Sequence, residues 1–161
     1  MLIARYYCPK SRVTISLLPD FLSSHLPGTL DEIEAAVAAY ESTGSVSEAA
    51  DAVRPPDDHE GRKDPFSLEA TTRWMKRRIT MVSACLLAIV GIFPELFKGC
   101  EATVTAFRAR LGTSSVLVDL RGIAMSELSV LPPPLGFGPW PRPRRYCKNR
   151  KTQKTCRRKP P

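Results

Sequence analysis

The spacing of apolar and polar positions divides the chain into a short β region followed by helices. Residues 2–7 and 12–17 are rich in β-branched and aromatic side chains, and a turn containing Pro9 separates them. This pattern predicts an N-terminal β-hairpin. Beyond residue 28 the apolar spacing changes to three and four residues, which is typical of amphipathic helices. We therefore expect a mainly α protein, with a hairpin followed by a helical bundle.

Two helix starts carry the pattern of a capping box. Segments 29–32 and 45–48 each place a hydroxyl residue three positions before a glutamate, so that both side chains can bind free backbone N–H groups. Gly44 lies between them, and glycine is the usual residue at a helix end in the left-handed conformation. Residues 31–53 are therefore predicted to form a helix, a tight turn and a second helix.

A long apolar seam predicts one long helix. After the polar loop 54–66, apolar residues recur at heptad spacing over 68–93. Such a seam is typical of a helix that packs along its whole length. Shorter helices are expected over 101–111 and 115–131, with a strand over 116–118 as the alternative start of the second. A single helical turn is expected over 20–26.

The positive charge of the chain is concentrated at its C-terminus. Ten Lys and Arg residues and no acid lie between 142 and 159, while residues 1–141 hold 14 basic and 16 acidic groups. Because like charges repel, we expect a disordered basic tail there. Such a tail suits nonspecific phosphate contacts, although an extension without a selected role is the alternative. The candidate contacts are Arg142, Arg144, Arg145, Lys148, Arg150 and Lys151.

These patterns predict three parts: a hairpin region over 1–28, a helical domain over 29–131, and a Pro-rich linker with the basic tail over 132–161. The apolar run 79–93 is shorter than the roughly 20 residues that cross a bilayer. No secretory signal pattern opens the sequence. We therefore expect a cytoplasmic protein that makes no membrane contact.

A cluster of cations on the long helix is the main candidate site. With Leu68, Met75 and Ile79 facing the core, Arg73, Lys76 and Arg77 point to the other side, where they can contact phosphates. Thr71 and Arg73 can approach base edges. The alternative is a solvated basic helix face without a ligand. The predicted DNA-binding residues are Thr71, Arg73, Lys76, Arg77 and Arg78.

Segments 32–37, 44–50 and 73–77 together resemble the helix-turn-helix of bacterial insertion-sequence transposases. That family has a second helix with the pattern Gly–Ser–hydrophobic–x–Glu–Ala–Ala and a recognition helix that ends in Arg-Trp-x-Lys/Arg. One departure is the segment 54–66, because the family joins its second and third helices by a short turn. The resemblance implies a DNA-binding, transposase-like or mobile-element accessory protein.

Residues 5–19 are similar to the second half of the zinc ribbons that precede such transposase domains. A ribbon needs four ligands around Zn²⁺. Here Cys8 stands alone, and Ser11 occupies the position of its partner cysteine. Because a neutral hydroxyl is a poor Zn²⁺ ligand, we expect a ribbon remnant without metal, in which Cys8 is structural.

Catalytic patterns are missing from the sequence. The histidines are His25 and His59, and the latter lies in the acidic loop 57–60. A transposase nuclease needs three acids on an α/β core, and neither a Walker loop nor a dinucleotide fingerprint is present. We therefore expect no enzyme activity, no cofactor and no small-molecule substrate.

A protein–protein interaction module without a nucleic-acid role is the second functional hypothesis. In it, the long helix over 68–93 pairs with a partner protein. The near-neutral charge of residues 1–141 favours this hypothesis, because most DNA-binding domains are basic. The basic tail and the cations of 73–78 favour DNA binding.

Overall fold

The computed structural model describes residues 4–53 and 68–139, and this part is mainly helical with an N-terminal hairpin, as predicted. The predicted polar loop 54–66, including His59, and the basic tail lie outside the described residues. The elements are β1 (Arg5–Cys8), β2 (Val13–Ser16), α1 (Leu30–Thr43), α2 (Val46–Val53), α3 (Leu68–Ile92), α4 (Pro94–Phe97), α5 (Val104–Leu111) and α6 (Val116–Ile123), followed by a 3₁₀ turn at Met125–Glu127.

The predicted pair of helices α1 and α2 is confirmed, and its boundaries follow from local hydrogen bonds. The Thr29 hydroxyl accepts from the Glu32 backbone N–H at 3.1 Å, and the Glu32 carboxylate accepts from the Thr29 N–H at 2.8 Å. Gly44 ends α1 with a φ of 68°, in the left-handed region. The Ser45 hydroxyl accepts from the Glu48 N–H at 3.4 Å, which is one half of the second predicted capping box.

The long helix α3 joins two apolar clusters. Near its start, Met75 packs with Ala36 of α1 and Ala49 of α2 in a small buried cluster. Further along, α3 enters the main core, which also contains residues of α1, α4, α5 and α6. The buried residues that α3 adds to the main core are Met81, Val82, Cys85, Leu86 and Ile89.

Glu34 of α1 is buried and caps the start of α6. Its carboxylate accepts from the Leu117 backbone N–H at 2.9 Å and from the Arg108 guanidinium at 2.8 Å. The first N–H groups of a helix have no partner within the helix, and they carry partial positive charge. A buried carboxylate at this position therefore has both a dipole and a cation to compensate the loss of water.

Glu41 has the same role for α5. Its carboxylate accepts from the backbone N–H groups of Val104 and Thr105 at 2.7 and 2.9 Å, and from the Thr105 hydroxyl at 2.7 Å. The sequence gives no local signal for either contact, because the partners lie more than 60 positions away along the chain.

Residues 20–26 do not form the predicted helical turn. The buried Arg121 of α6 donates to the backbone oxygens of Asp20, at 2.8 Å, and of Leu22. These carbonyls accept from the Arg121 side chain instead of from backbone N–H groups of a helical turn. The tertiary contact therefore overrides the local preference for a helical turn. Because Leu26 is part of the main core, the segment packs with the helices rather than with the hairpin.

The first residues of the predicted linker 132–161 pack against the helices. Leu135 is buried in the main core. The Ser24 hydroxyl donates to the backbone oxygens of Pro134, at 3.0 Å, and of Gly136. Residues 132–138 therefore cover one side of the core.

The helices after α3 are shorter than expected. Thr103 caps α5 by accepting from the Ala106 N–H at 3.2 Å, so this helix begins after residue 103 instead of at 101. The α6 helix ends at Ile123 rather than near 131, and the chain then turns so that Leu131 and Leu135 reach the core.

Candidate nucleic-acid interface

Three cations share the exposed side of the first half of α3. Arg73, Lys76 and Arg77 are exposed, whereas Met75 between them is fully buried. At about 100° per residue, Arg73 and Arg77 lie roughly 160° from Met75 around the helix, and Lys76 lies about 100° away at the flank. We call this set the cationic face. On the other side of this part of α3, Met75 packs against Ala36 of α1 and Ala49 of α2.

Arg73 is available to a ligand although it has a neighbour of opposite charge. Its guanidinium lies 3.9 Å from the Glu69 carboxylate, and the two side chains are 71% and 82% exposed. An exposed pair of this kind contributes about 0–1 kcal/mol. A phosphate can therefore displace Glu69 at little cost.

Arg78, which was predicted as a DNA contact, is buried and does not belong to the exposed set. Only 3% of its surface is exposed, and its guanidinium donates to the Pro27 backbone oxygen at 2.8 Å. The guanidinium carbon lies 3.3 Å from the centroid of the Trp74 ring. Burial lowers the pKa of Arg78 to about 10, and the nearby Arg77 contributes in the same direction. Arg78 follows Met75 by three residues, so both lie on the packed side.

Thr71 also lies on the packed side of α3. It precedes Met75 by four residues, and it is half-buried. Thr71, which was predicted to approach base edges, therefore does not share the exposed face of Arg73 and Arg77. Of the five predicted DNA-binding residues, the exposed face retains Arg73, Lys76 and Arg77.

Several acids of α1 are occupied by internal contacts. Glu32 completes the capping box of α1, while Glu34 and Glu41 cap α6 and α5. The near-neutral charge of residues 1–141 therefore describes the sum of the charges and not their distribution over the surface. These carboxylates lie at helix N-termini, where they compensate helix dipoles. The cationic face can therefore be locally positive although residues 1–141 carry little net charge.

The hairpin carries a second group of exposed cations, outside the predicted site residues. Arg5, Lys10 and Arg12 are exposed, and none of them forms an ion pair within the described ranges. Tyr6 and Tyr7 are 59% and 64% exposed. The signal in the sequence is the lack of any acid before Asp20.

Cys8 lies at the end of β1, partly exposed, beside Ser11. The Ser11 hydroxyl, followed by the backbone N–H groups of Ser11 and Lys10, lowers the pKa of the Cys8 thiol. These hydrogen bonds stabilise a thiolate. Over residues 4–53 and 68–139, no three His, Cys, Asp or Glu side chains are grouped so that they could hold a metal ion.

The six candidate phosphate contacts of the tail, from Arg142 to Lys151, lie outside the described residues, as does the acidic loop 57–60. None of the helices that the structure describes is long and apolar enough to cross a membrane. In comparisons with known proteins, the chain matches no family model, no curated protein and no solved structure.

Proposed function

We propose that this chain binds duplex DNA through the cationic face of α3, as a transposase-like or mobile-element accessory protein that contributes no catalytic step. The observation that carries the proposal is the joint exposure of Arg73, Lys76 and Arg77 on a helix whose other side packs against α1 and α2. The likeness of residues 32–77 to the helix-turn-helix of insertion-sequence transposases supports the same function.

The chemistry of the three side chains favours phosphate as the ligand. An arginine offers several N–H donors in a planar fork, and a lysine offers a compact charge. Arg73 and Arg77 are one helical turn apart, with Lys76 beside them, so one backbone strand can meet all three. Contacts to phosphates position a protein on the duplex, while base edges supply the sequence preference.

The alternative, a protein partner that pairs with the long helix, has less support. Its basis is the apolar seam, and the seam residues Met75, Val82 and Ile89 are fully buried among the chain's own helices. A partner that used this seam would have to displace them.

The test compares two double variants of the full chain that lose the same charge. Arg73→Ala with Arg77→Ala removes two cations of the cationic face. Lys98→Ala with Arg110→Ala removes two exposed cations elsewhere. Fluorescence anisotropy with a labelled duplex should show weaker binding for the first variant and nearly unchanged binding for the second. Equal losses would contradict the proposal, because they would indicate a response to net charge alone.

A further inference from the structure

The hairpin of β1 and β2 presents exposed side chains on both faces. Among the strand side chains that the structure describes, none belongs to the apolar clusters. A two-stranded hairpin is marginally stable by itself in water. The exposed rings of Tyr6 and Tyr7 therefore do not serve the packing of the core, and they are free to meet a ligand.

The register of the strands makes the two faces different. Tyr7 pairs with Thr14 and Arg5 pairs with Ser16, so these positions share one face. Tyr6 and Cys8 alternate with them and lie on the opposite face. Tyr7 thus lies on the same face as Arg5, and Tyr6 lies on the same face as Cys8.

The charge of the hairpin is entirely positive. It holds Arg5 in β1 and Lys10 and Arg12 in the turn region, and no acid occurs among its residues. The three cations are exposed and form no ion pair among the described residues. Such a surface is complementary to a polyanion.

We propose that the face of Arg5, Tyr7 and Thr14 binds single-stranded nucleic acid. The Tyr7 ring stacks on an unpaired base, while Arg5, Lys10 and Arg12 neutralise the adjacent phosphates. Aromatic side chains beside a basic groove are the usual means of holding single strands, because every base has a flat face to stack. In a duplex the bases already stack on one another, so an exposed tyrosine favours unpaired bases. The site is distinct from the cationic face of α3 and does not depend on it.

The test uses the full chain with two oligonucleotides, a short oligothymidylate and an abasic strand of the same length. Stacking makes Tyr7→Leu bind the oligothymidylate roughly fivefold or more weakly than the unchanged chain. The same variant binds the abasic strand as the unchanged chain does, since all cations remain. Tyr7→Phe keeps the ring and therefore the affinity. Tyr6→Leu is the matched control, because it removes an equally exposed tyrosine from the other face.

Three results would overturn the proposal: equal losses for Tyr6→Leu and Tyr7→Leu, equal losses of Tyr7→Leu on the two strands, or a loss for Tyr7→Phe as large as for Tyr7→Leu. Failure of the proposed duplex binding by α3 is detected by a separate measurement. In that case Arg73→Ala with Arg77→Ala leaves duplex affinity unchanged, whatever the tyrosine variants do on single strands.

Discussion

Glu34 and Glu41 lie two turns apart on α1, and each carboxylate caps the N-terminus of a different helix. Glu34 binds the Leu117 N–H of α6, and Glu41 binds the Val104 N–H of α5. Two carboxylates of one helix thus bind the free backbone N–H groups at the start of two other helices. Both carboxylates are therefore engaged within the helical body at the N-termini of α6 and α5.

The first prediction concerns the capping role of Glu34. Glu34→Gln removes the charge that faces Arg108 and the start of α6, so we expect a loss of about 1.5–3 kcal/mol in the free energy of unfolding. Urea denaturation at neutral pH measures it. Glu48→Gln is the control, because Glu48 is exposed. Equal midpoints for the two variants would show that the Glu34 carboxylate is not needed for stability.

The second prediction concerns two glycines with opposite surroundings. A Cβ at Gly138 would overlap the Val130 backbone oxygen, whereas a Cβ at Gly91 in α3 meets nothing within 4 Å. Gly138→Ala should therefore lower the thermal midpoint. Gly91→Ala should raise stability by about 0.5–1 kcal/mol, because alanine restricts the unfolded chain. Unfolding scans test both, and a neutral Gly138→Ala would contradict the close packing of residues 130–138.

The third prediction concerns Arg121, which holds the segment that follows the hairpin. Arg121→Met leaves the Asp20 and Leu22 carbonyls without their donor, at an expected cost of about 1–3 kcal/mol. Hydrogen exchange should then accelerate at the amide of Leu30, which donates to the Phe21 oxygen at 2.8 Å. Lys98→Met serves as the exposed control. Unchanged exchange in Arg121→Met would mean that other contacts hold the segment.

The fourth prediction concerns thiol reactivity. Hydrogen bonds lower the pKa of Cys8, whereas burial raises the pKa of Cys85 to about 12. Because the thiolate is the reactive form, iodoacetamide should label Cys8 rapidly at neutral pH and Cys85 only after unfolding, as read by peptide mass spectrometry. Ser11→Ala removes the main donor, raises the pKa of Cys8 and should slow its labelling. Faster labelling in that variant would contradict the assigned hydrogen bond.

Local signals in the sequence predict the elements of this fold well. The Thr29 capping box, the Gly44 helix end and the apolar seam of α3 each depend on residues that are close along the chain. The course of residues 20–28 and 132–138 depends on Arg121 and Ser24, whose partners are about 100 positions away. No local pattern contains that information, so the predicted helical turn at 20–26 is wrong.

The candidate site was also predictable only where it depends on residues that are close along the chain. Helical periodicity places Arg73 and Arg77 opposite the buried Met75, with Lys76 at their flank. The same periodicity puts Arg78 on the packed side, three residues after Met75. The contact of Arg78 with the Pro27 oxygen could not be anticipated, because it depends on the tertiary course of the chain.

The salt dependence of duplex binding tests the central claim most directly. For the unchanged chain and for Arg73→Ala/Lys76→Ala/Arg77→Ala, the logarithm of the binding constant is measured against the logarithm of the salt concentration. Both proteins carry the same basic tail, so any contribution from it cancels in the difference between the two slopes. If each of the three cations neutralises one phosphate, the variant's slope is smaller in magnitude by about 2.7. Identical slopes for the two proteins, with both folded by circular dichroism, would contradict DNA binding by the cationic face.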